Sequence, residues 1–511
     1  MGRWFLPLTA TAVLSVAAPF LARAQDGEAE PTQAEDPAEP APEPVVAAAP
    51  AGVDVSAALA SVGNSWLFTR ADSGLRVVDL STRQKVFGRN DDRMLQPAST
   101  MKVITSAAAL RNLGPAYRFT TDVFYDGELQ PNGVLQGNLY VKGHGDPTFT
   151  VEDLWKLVED IELAGVDKVV GSVVFDDSFH ESGTVLPGWD KPEDIEKGTS
   201  YFATLSALSL NSNTVVLVVR PGAEVGSTAR VTLETPTLGY VQLDNQVKTG
   251  GARSRKSIEV TREVLPDGTK FSLTGNVPVD EIERTTLRRT VADPTAHFVA
   301  AFHAKMRERD IDVTGRYQRG TTPPAAKLLL SADSPPLAQI VAEMNKSSLN
   351  FVAEQVLRTV GAEVMGEGST RSGLAVVGQY LGSIGVPPGD IVLVNGSGLS
   401  RDIRMKASVL TAVLEDMAVD PQVGSEFAAS LAISGTDGTL WSRLREDPGR
   451  LRGKTGTLDG VHCLAGYVDS QGGRRYAFAF LVNNYGSRLQ SVRDVHDTFA
   501  RQLFRLGGGP G

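Results

Sequence analysis

Ser99 and Lys102 stand three residues apart in Met94-Leu95-Gln96-Pro97-Ala98-Ser99-Thr100-Met101-Lys102, just ahead of an alanine-rich apolar run to Leu110. Pro97 ends whatever precedes it, and the run has helical periodicity. This predicts a helix whose first turn carries both residues on one face. A serine there lies near the unpaired N–H groups of a helix start, where developing negative charge is stabilised. A lysine one turn on can take the serine proton if burial keeps it neutral. The same pair also fits an N-cap serine beside a solvated lysine. The chemistry therefore depends on partners elsewhere in the chain.

Two further motifs would complete such a site, and each occurs twice. Lys-Thr-Gly stands at Lys248-Thr249-Gly250 and at Lys454-Thr455-Gly456. The first leads into Gly251-Ala252-Arg253-Ser254-Arg255-Lys256, a polar stretch expected to form an exposed loop. The second ends a strand and leads through Thr457-Leu458-Asp459-Gly460, a hairpin turn, into another strand. Only the second can lay a strand edge beside a serine, offering a backbone N–H to an oxyanion and an ammonium to a carboxylate. Lys454 is therefore the expected partner. Ser-Leu-Asn occurs at Ser209-Leu210-Asn211, which runs directly into a strand, and at Ser348-Leu349-Asn350, between two helical stretches. A hydroxyl and an amide on a helix–helix connection can line a cleft wall opposite a strand edge. Ser348 and Asn350 are the expected pair.

The elements that must position these groups come from both ends of the chain. Leu75 to Leu80 and Lys85 to Gly88 read as strands, as do Leu451 to Thr455, His462 to Asp469 and Tyr476 to Asn483. With a closing helix from Leu489 to Leu506 they predict one antiparallel sheet. Helical patterns recur at Ala296 to Arg309, Pro336 to Met344, Phe351 to Val360, Thr370 to Gly385 and Ala407 to Met417. The roughly two hundred residues between Ser99 and this helical region have the size of one or two inserted domains. The closing helix carries Val492, Val495, Phe499, Leu503 and Leu506 as one stripe. That stripe is expected to cover the sheet rather than to anchor the protein in a membrane.

Composition narrows the function classes. The 511 residues, 41% hydrophobic and 22% charged, suit a globular protein of two or three domains. A formal charge of −10, with no basic stripe and interleaved aromatics, argues against a nucleic-acid partner. The six histidines are scattered, and no His-x-x-x-His or Cys-x-x-Cys pair occurs, so neither a metal nor another cofactor is expected. Cys463 is the single cysteine, set in an apolar run that predicts a buried thiol. Residues 1–24 read as a cleaved export signal: Arg3, the apolar stretch Trp4 to Leu21, then Ala22-Arg23-Ala24. Residues 25–52, rich in Ala, Pro and Glu, read as a disordered tether.

The order Ser-x-x-Lys, Ser-x-Asn, Lys-Thr-Gly resembles that of penicillin-binding proteins and serine β-lactamases. Further blocks extend the likeness: Gly145-Asp146-Pro147-Thr148, Met344-Asn345-Lys346-Ser347, Gly396-Ser397-Gly398-Leu399-Ser400-Arg401 and Asp437-Gly438-Thr439-Leu440. From Val53 to Leu506 the chain is similar to the class C low-molecular-mass penicillin-binding proteins, the D-alanyl-D-alanine carboxypeptidase/endopeptidase family. The resemblance implies an α+β fold, a transpeptidase-like antiparallel sheet flanked by helices, with an all-helical part and inserted mixed α/β domains. The catalytic domain would comprise 53–118 and 325–511, one inserted domain 119–147 and 217–324, and a second 148–216.

It also implies roles. Ser99 would attack the penultimate D-alanine carbonyl of a peptidoglycan peptide, or a β-lactam, with Lys102 as base. Ser348 would relay a proton to the leaving amine, and Asn350 would contact the substrate amide and Lys102. Lys454 and Thr455 would hold the terminal carboxylate, while Gly456 lets the strand approach closely. The N–H groups of Ser99 and Thr457 would form the oxyanion hole. Arg401 matches a position that meets a diamino-acid carboxylate, and fits a surface salt bridge equally well. Leu349 and Asn395 stand where the family commonly has aspartate. A transpeptidase, a β-lactamase and a catalytically silent wall-binding protein are the competing readings. The long insertion disfavours the second, and the intact motif set disfavours the third.

Overall fold

The computed structural model describes residues 54–181, 186, 189, 196–235, 237–486 and 488–507; the expected export signal and tether lie outside them. Chain segments from both ends build one six-stranded sheet of β1 (Asp72–Asp79), β2 (Gln84–Arg89), β3 (Ala432–Ile433), β4 (Leu451–Leu458), β5 (Val461–Asp469) and β6 (Arg475–Asn483). Their order is β2-β1-β6-β5-β4-β3, and every neighbouring pair is antiparallel. The sheet expected from both chain ends is therefore present. β3 adds two residues that are too short to show a period in sequence.

β6 is apolar on both faces because both faces are covered. Ala477, Ala479 and Leu481 join the core on the helical side, with Cys463, Ala465 and Tyr467 of β5. Tyr476, Phe478, Phe480 and Val482 join the opposite core, beneath Val492, Phe499 and Leu503 of the closing helix α6 (Leu489–Phe504). The period-2 alternation sends small residues to one side and aromatic ones to the other. The stripe of α6 is thus spent on the sheet. Three short helical turns at the start of the described chain, with Val55, Leu59, Val62 and Leu67, close the same core.

On the other side lie α1 (Met101–Leu113), α2 (Leu337–Ser347), α3 (Asn350–Met365), α4 (Thr370–Ser383) and α5 (Ala407–Val419). Every residue of α1 from Met101 to Leu110 is buried. A helix buried all round needs no polar face, which explains its continuous Val-Ile-Thr-Ser-Ala-Ala-Ala-Leu run. It also means that Lys102 enters the core with it.

The inserted part divides differently from the expected ranges. Its five-stranded sheet runs Tyr317–Arg319, Val173–Asp176, Leu139–Gly143, Thr120–Tyr125, Lys327–Asp333. Val173–Asp176 pairs in parallel with Leu139–Gly143, and Phe175 packs against Phe298 and Phe302 of the helix Pro294–Glu308. Residues 148–216 are thus not a unit of their own, and Lys327–Asp333 belongs to the insertion rather than the catalytic part. The nested segment is instead 214–291, whose strands enclose a separate core around Leu217, Phe271 and Leu273. Parallel pairing needs a long crossover, here the helix Val151–Leu163, so sequence neighbours are not sheet neighbours.

Candidate active site

Three elements converge on the Lys102 amine. Lys102 Nζ donates to Ser99 Oγ at 3.1 Å, to Asn350 Oδ1 at 2.7 Å and to the carbonyl of Ser397 at 2.7 Å. Ser99 lies in a 3-10 turn, Ala98–Thr100, that leads into α1, so serine and lysine share a face as expected. Asn350 begins α3, and Ser397 lies in the loop that follows Ile391 and Val392. Lys102 is fully buried, and its amine is held well below the usual lysine range. Burial is the main cause, the nearby Lys454 adds to it, and the Glu354 carboxylate opposes it.

A second lysine serves the facing wall. Lys454 Nζ, also fully buried, donates to Ser348 Oγ at 2.8 Å and to the Thr455 carbonyl at 2.9 Å. Burial pushes its amine down to about 7. Ser348 caps α2 with φ 60° and ψ 40°, a left-handed conformation rare for a residue with a side chain. Such strain costs on the order of 1–3 kcal/mol and persists where surrounding contacts impose it. Here α2 is fixed on both sides. Asn345 Nδ2 donates to Ser106 and Ser430 hydroxyls, and Lys346 is ion-paired with Asp437.

Strand β4 runs past Ser99 at backbone contact distance. A Cβ on Gly456 would stand 2.6 Å from the Pro97 carbonyl oxygen and 2.9 Å from the Ser99 nitrogen. Only glycine allows this approach, which sets the Ser99 N–H against the strand. Beyond Gly453, β4 is paired with β5 alone, so its outer edge is open. Thr455 Oγ1 donates to Thr439 Oγ1 at 2.8 Å, and Thr457 Oγ1 lies 2.9 Å from His462 Nδ1. Arg401 sits at the rim, half-exposed, with Nη1 donating to the Asp459 carbonyl at 3.2 Å. It reaches none of the buried groups through the bonds it makes here.

The duplicate motifs fall elsewhere. Lys248–Gly250 is a strand of the nested segment, and Lys248 Nζ donates to Thr228 at 3.3 Å. Ser209 is a buried joint: its hydroxyl donates to the Ser206 carbonyl and accepts from Asn213 and from Gln355 of α3. Sequence reasoning gave no role to Glu354, Ser397, Thr439 or His462, although Ser397 and Thr439 stand in two of the blocks that carry the resemblance. Glu354 was legible in principle, since it follows Asn350 by one helical turn and so shares its face. Asn395 works where aspartate is common: its Oδ1 accepts from the Gly398 N–H at 3.0 Å and from the Ser397 hydroxyl at 3.3 Å. Leu349 is 36% exposed and touches no catalytic group through a hydrogen bond, which suits a position that the motif leaves open.

A half-buried serine bonded to a buried lysine, a hydroxyl–lysine pair facing it and an open strand edge beside the serine are the parts an acyl-transfer site requires. Known proteins are similar to this chain over most of its length. A D-alanyl-D-alanine carboxypeptidase from Actinomadura sp. (strain R39) is 33% identical over 455 residues, covering 86% of this chain and 82% of that protein. D-alanyl-D-alanine carboxypeptidase DacB of Haemophilus influenzae is 26% identical over 419 residues, covering 81% of this chain and 86% of its own. The crystal structure of penicillin binding protein 4 (dacB) from Haemophilus influenzae superposes with a TM-score of 0.75 at 25% identity, over 89% of this chain and 99% of that one. The sequence model of the D-Ala-D-Ala carboxypeptidase 3 (S13) family matches residues 55–503, and the chain belongs to that family, a serine-type D-Ala-D-Ala carboxypeptidase among the class C low-molecular-mass penicillin-binding proteins.

Proposed function

We propose that Ser99 is the nucleophile and Lys102 the base of this carboxypeptidase, acting on peptidoglycan peptides that end in D-alanyl-D-alanine. The observation that carries the reading is the 3.1 Å contact between Ser99 Oγ and a buried lysine amine held far below its usual range. Ser99 Oγ attacks the carbonyl carbon of the penultimate D-alanine, and its proton passes to Lys102 Nζ. The oxyanion is received by the N–H groups of Ser99 and Thr457. The C–N bond then breaks as the proton taken up by Lys102 passes through the Ser348 hydroxyl, held by Lys454, to the leaving amine. Lys454 and Thr455 hold the terminal carboxylate, and Asn350 orients Lys102 and the peptide amide. Water then hydrolyses the ester. Arg401, at the rim, meets a substrate carboxylate further from the scissile bond.

The same serine accepts the acyl group of a β-lactam, and the same site opens D-alanyl cross-links as an endopeptidase. A related crystal structure of the Haemophilus influenzae protein is described as complexed with a novel β-lactam. The protein works outside the cytoplasm, consistent with the leader read in residues 1–24. No helix among the described residues is long and apolar enough to cross a membrane. Labelling with a fluorescent penicillin tests the reading. The parent chain should form a stable adduct and Ser99→Ala none, at equal melting temperature. An adduct on Ser99→Ala would show that a different residue is the nucleophile.

A further inference from the structure

Glu354 is fully buried on α3, one turn after Asn350, and both its oxygens are engaged. Oε1 accepts from the Ser397 N–H at 2.7 Å and Oε2 from the Gly396 N–H at 3.1 Å. The same turn is held from α1, where Thr105 Oγ1 donates to the Gly396 carbonyl at 2.7 Å. The next carbonyl, that of Ser397, is an acceptor of Lys102 Nζ.

The count of donors on that amine gives the turn its importance. A protonated lysine has three N–H donors and no acceptor, and three acceptors surround Nζ. A neutral amine has two N–H donors and one lone pair. The Asn350 and Ser397 carbonyls, each at 2.7 Å, take the two N–H groups. The lone pair is then left toward Ser99 Oγ, the atom whose proton must be removed. Without the Ser397 carbonyl one N–H is free to turn to Ser99, and the lone pair turns away.

We propose that Glu354 is a positioning residue for acylation: by clamping the Gly396–Ser397 backbone it fixes the acceptor that aims the Lys102 lone pair at Ser99. The inference rests on the functional reading above. The charged groups acting on this carboxylate are Lys102 on α1 and Arg358 one turn further along α3, while Lys454 acts on Lys102. Burial raises the Glu354 carboxyl above the usual glutamate range, opposed by the hydrogen bonds from Ser397 and Gly396 and by Lys102; in its ionised form it favours the Lys102 ammonium, opposing burial and Lys454.

The test uses the full chain and a fluorescent penicillin, with the acylation rate followed against pH. Glu354→Gln keeps the side-chain volume, removes the charge and turns an NH₂ toward one of two backbone N–H donors. Acylation should slow by roughly 10- to 100-fold, as a misdirected reacting pair does. The acid limb of the profile should move to lower pH, because the carboxylate that favours the ammonium is gone. A folded Glu354→Gln protein that acylates at the parental rate overturns the proposal. So does a slowed protein with an unmoved acid limb, which would make Glu354 a packing group. If Glu354→Gln does not fold, Thr105→Val removes the other anchor of the turn and leaves every charge in place. It should slow acylation several-fold with an unmoved acid limb, and a parental rate would again overturn the proposal. A parent chain that forms no adduct would refute the functional reading itself, whereas a labelled parent with an equally fast Glu354→Gln variant refutes only this inference.

Discussion

Gly456→Ala is the sharpest test of how strand β4 meets the nucleophile. The added methyl would stand 2.6 Å from the Pro97 carbonyl oxygen, 2.9 Å from the Ser99 nitrogen and 3.0 Å from the Thr100 nitrogen. All three obstacles are backbone atoms, so no side chain can rotate away. Ordinary contact begins at 3.4 Å, so the strand or the turn must move by about 0.8 Å. Thr457 is the next residue on the strand, so its N–H moves with it. A displacement near 1 Å at a reacting centre costs on the order of 100-fold, or about 2.7 kcal/mol of transition-state stabilisation. Overpacking of this kind costs roughly 1–3 kcal/mol of stability. The assay is penicillin acylation by stopped-flow fluorescence, with a thermal melt alongside. Gly378→Ala is the control: it lies on the exposed side of α4, where an added Cβ meets nothing within 4 Å. It should leave acylation unchanged and raise stability by about 0.4–1 kcal/mol. A Gly456→Ala protein that acylates at the parental rate would refute the close approach of strand and serine.

The duplicated motif gives a second contrast: Lys454→Ala should lose nearly all release of D-alanine from a D-Ala-D-Ala peptide, while Lys248→Ala, whose parent amine donates to Thr228 in the nested segment, should match the parent. The reverse pattern in that assay would dismiss the assignment. The pH profile of peptide hydrolysis should rise on the acid side as Lys102, held well below its usual range, loses its proton and becomes a base. It should fall above about pH 7 as Lys454 loses the charge that holds the substrate carboxylate; a steady-state titration showing KM unchanged from pH 6 to 9 would contradict this. Phe499→Ala, on the buried face of α6 and against Phe478 at 5.0 Å, should lower unfolding free energy by about 3–5 kcal/mol, read from chemical denaturation. A loss below about 1 kcal/mol would show that the helix is not part of the core.

The sequence by itself determined the sheet drawn from both chain ends, the helices, and which chemical groups could act. Those features follow from short-range rules: a period of two places Phe478 and Phe480 on one face and Ala477 and Ala479 on the other, and a spacing of three aligns Ser99 with Lys102. It also separated Lys454 from Lys248, because a strand–turn–strand unit is written in neighbouring residues. The division of the insertion was decided only in three dimensions. Pairing of Val173–Asp176 with Leu139–Gly143 depends on a crossover, and nothing local distinguishes it from pairing with the nested segment. The surroundings of Lys102 were decided there as well. Whether a lysine is a base or a solvated cation depends on what encloses it, and its enclosure comes from Asn350, Ser397, Glu354 and Lys454, residues some 250 to 350 positions away along the chain. Burial of the amine is a property of the assembled core, because desolvation sums over every neighbour at once, and no stretch of sequence contains those neighbours together.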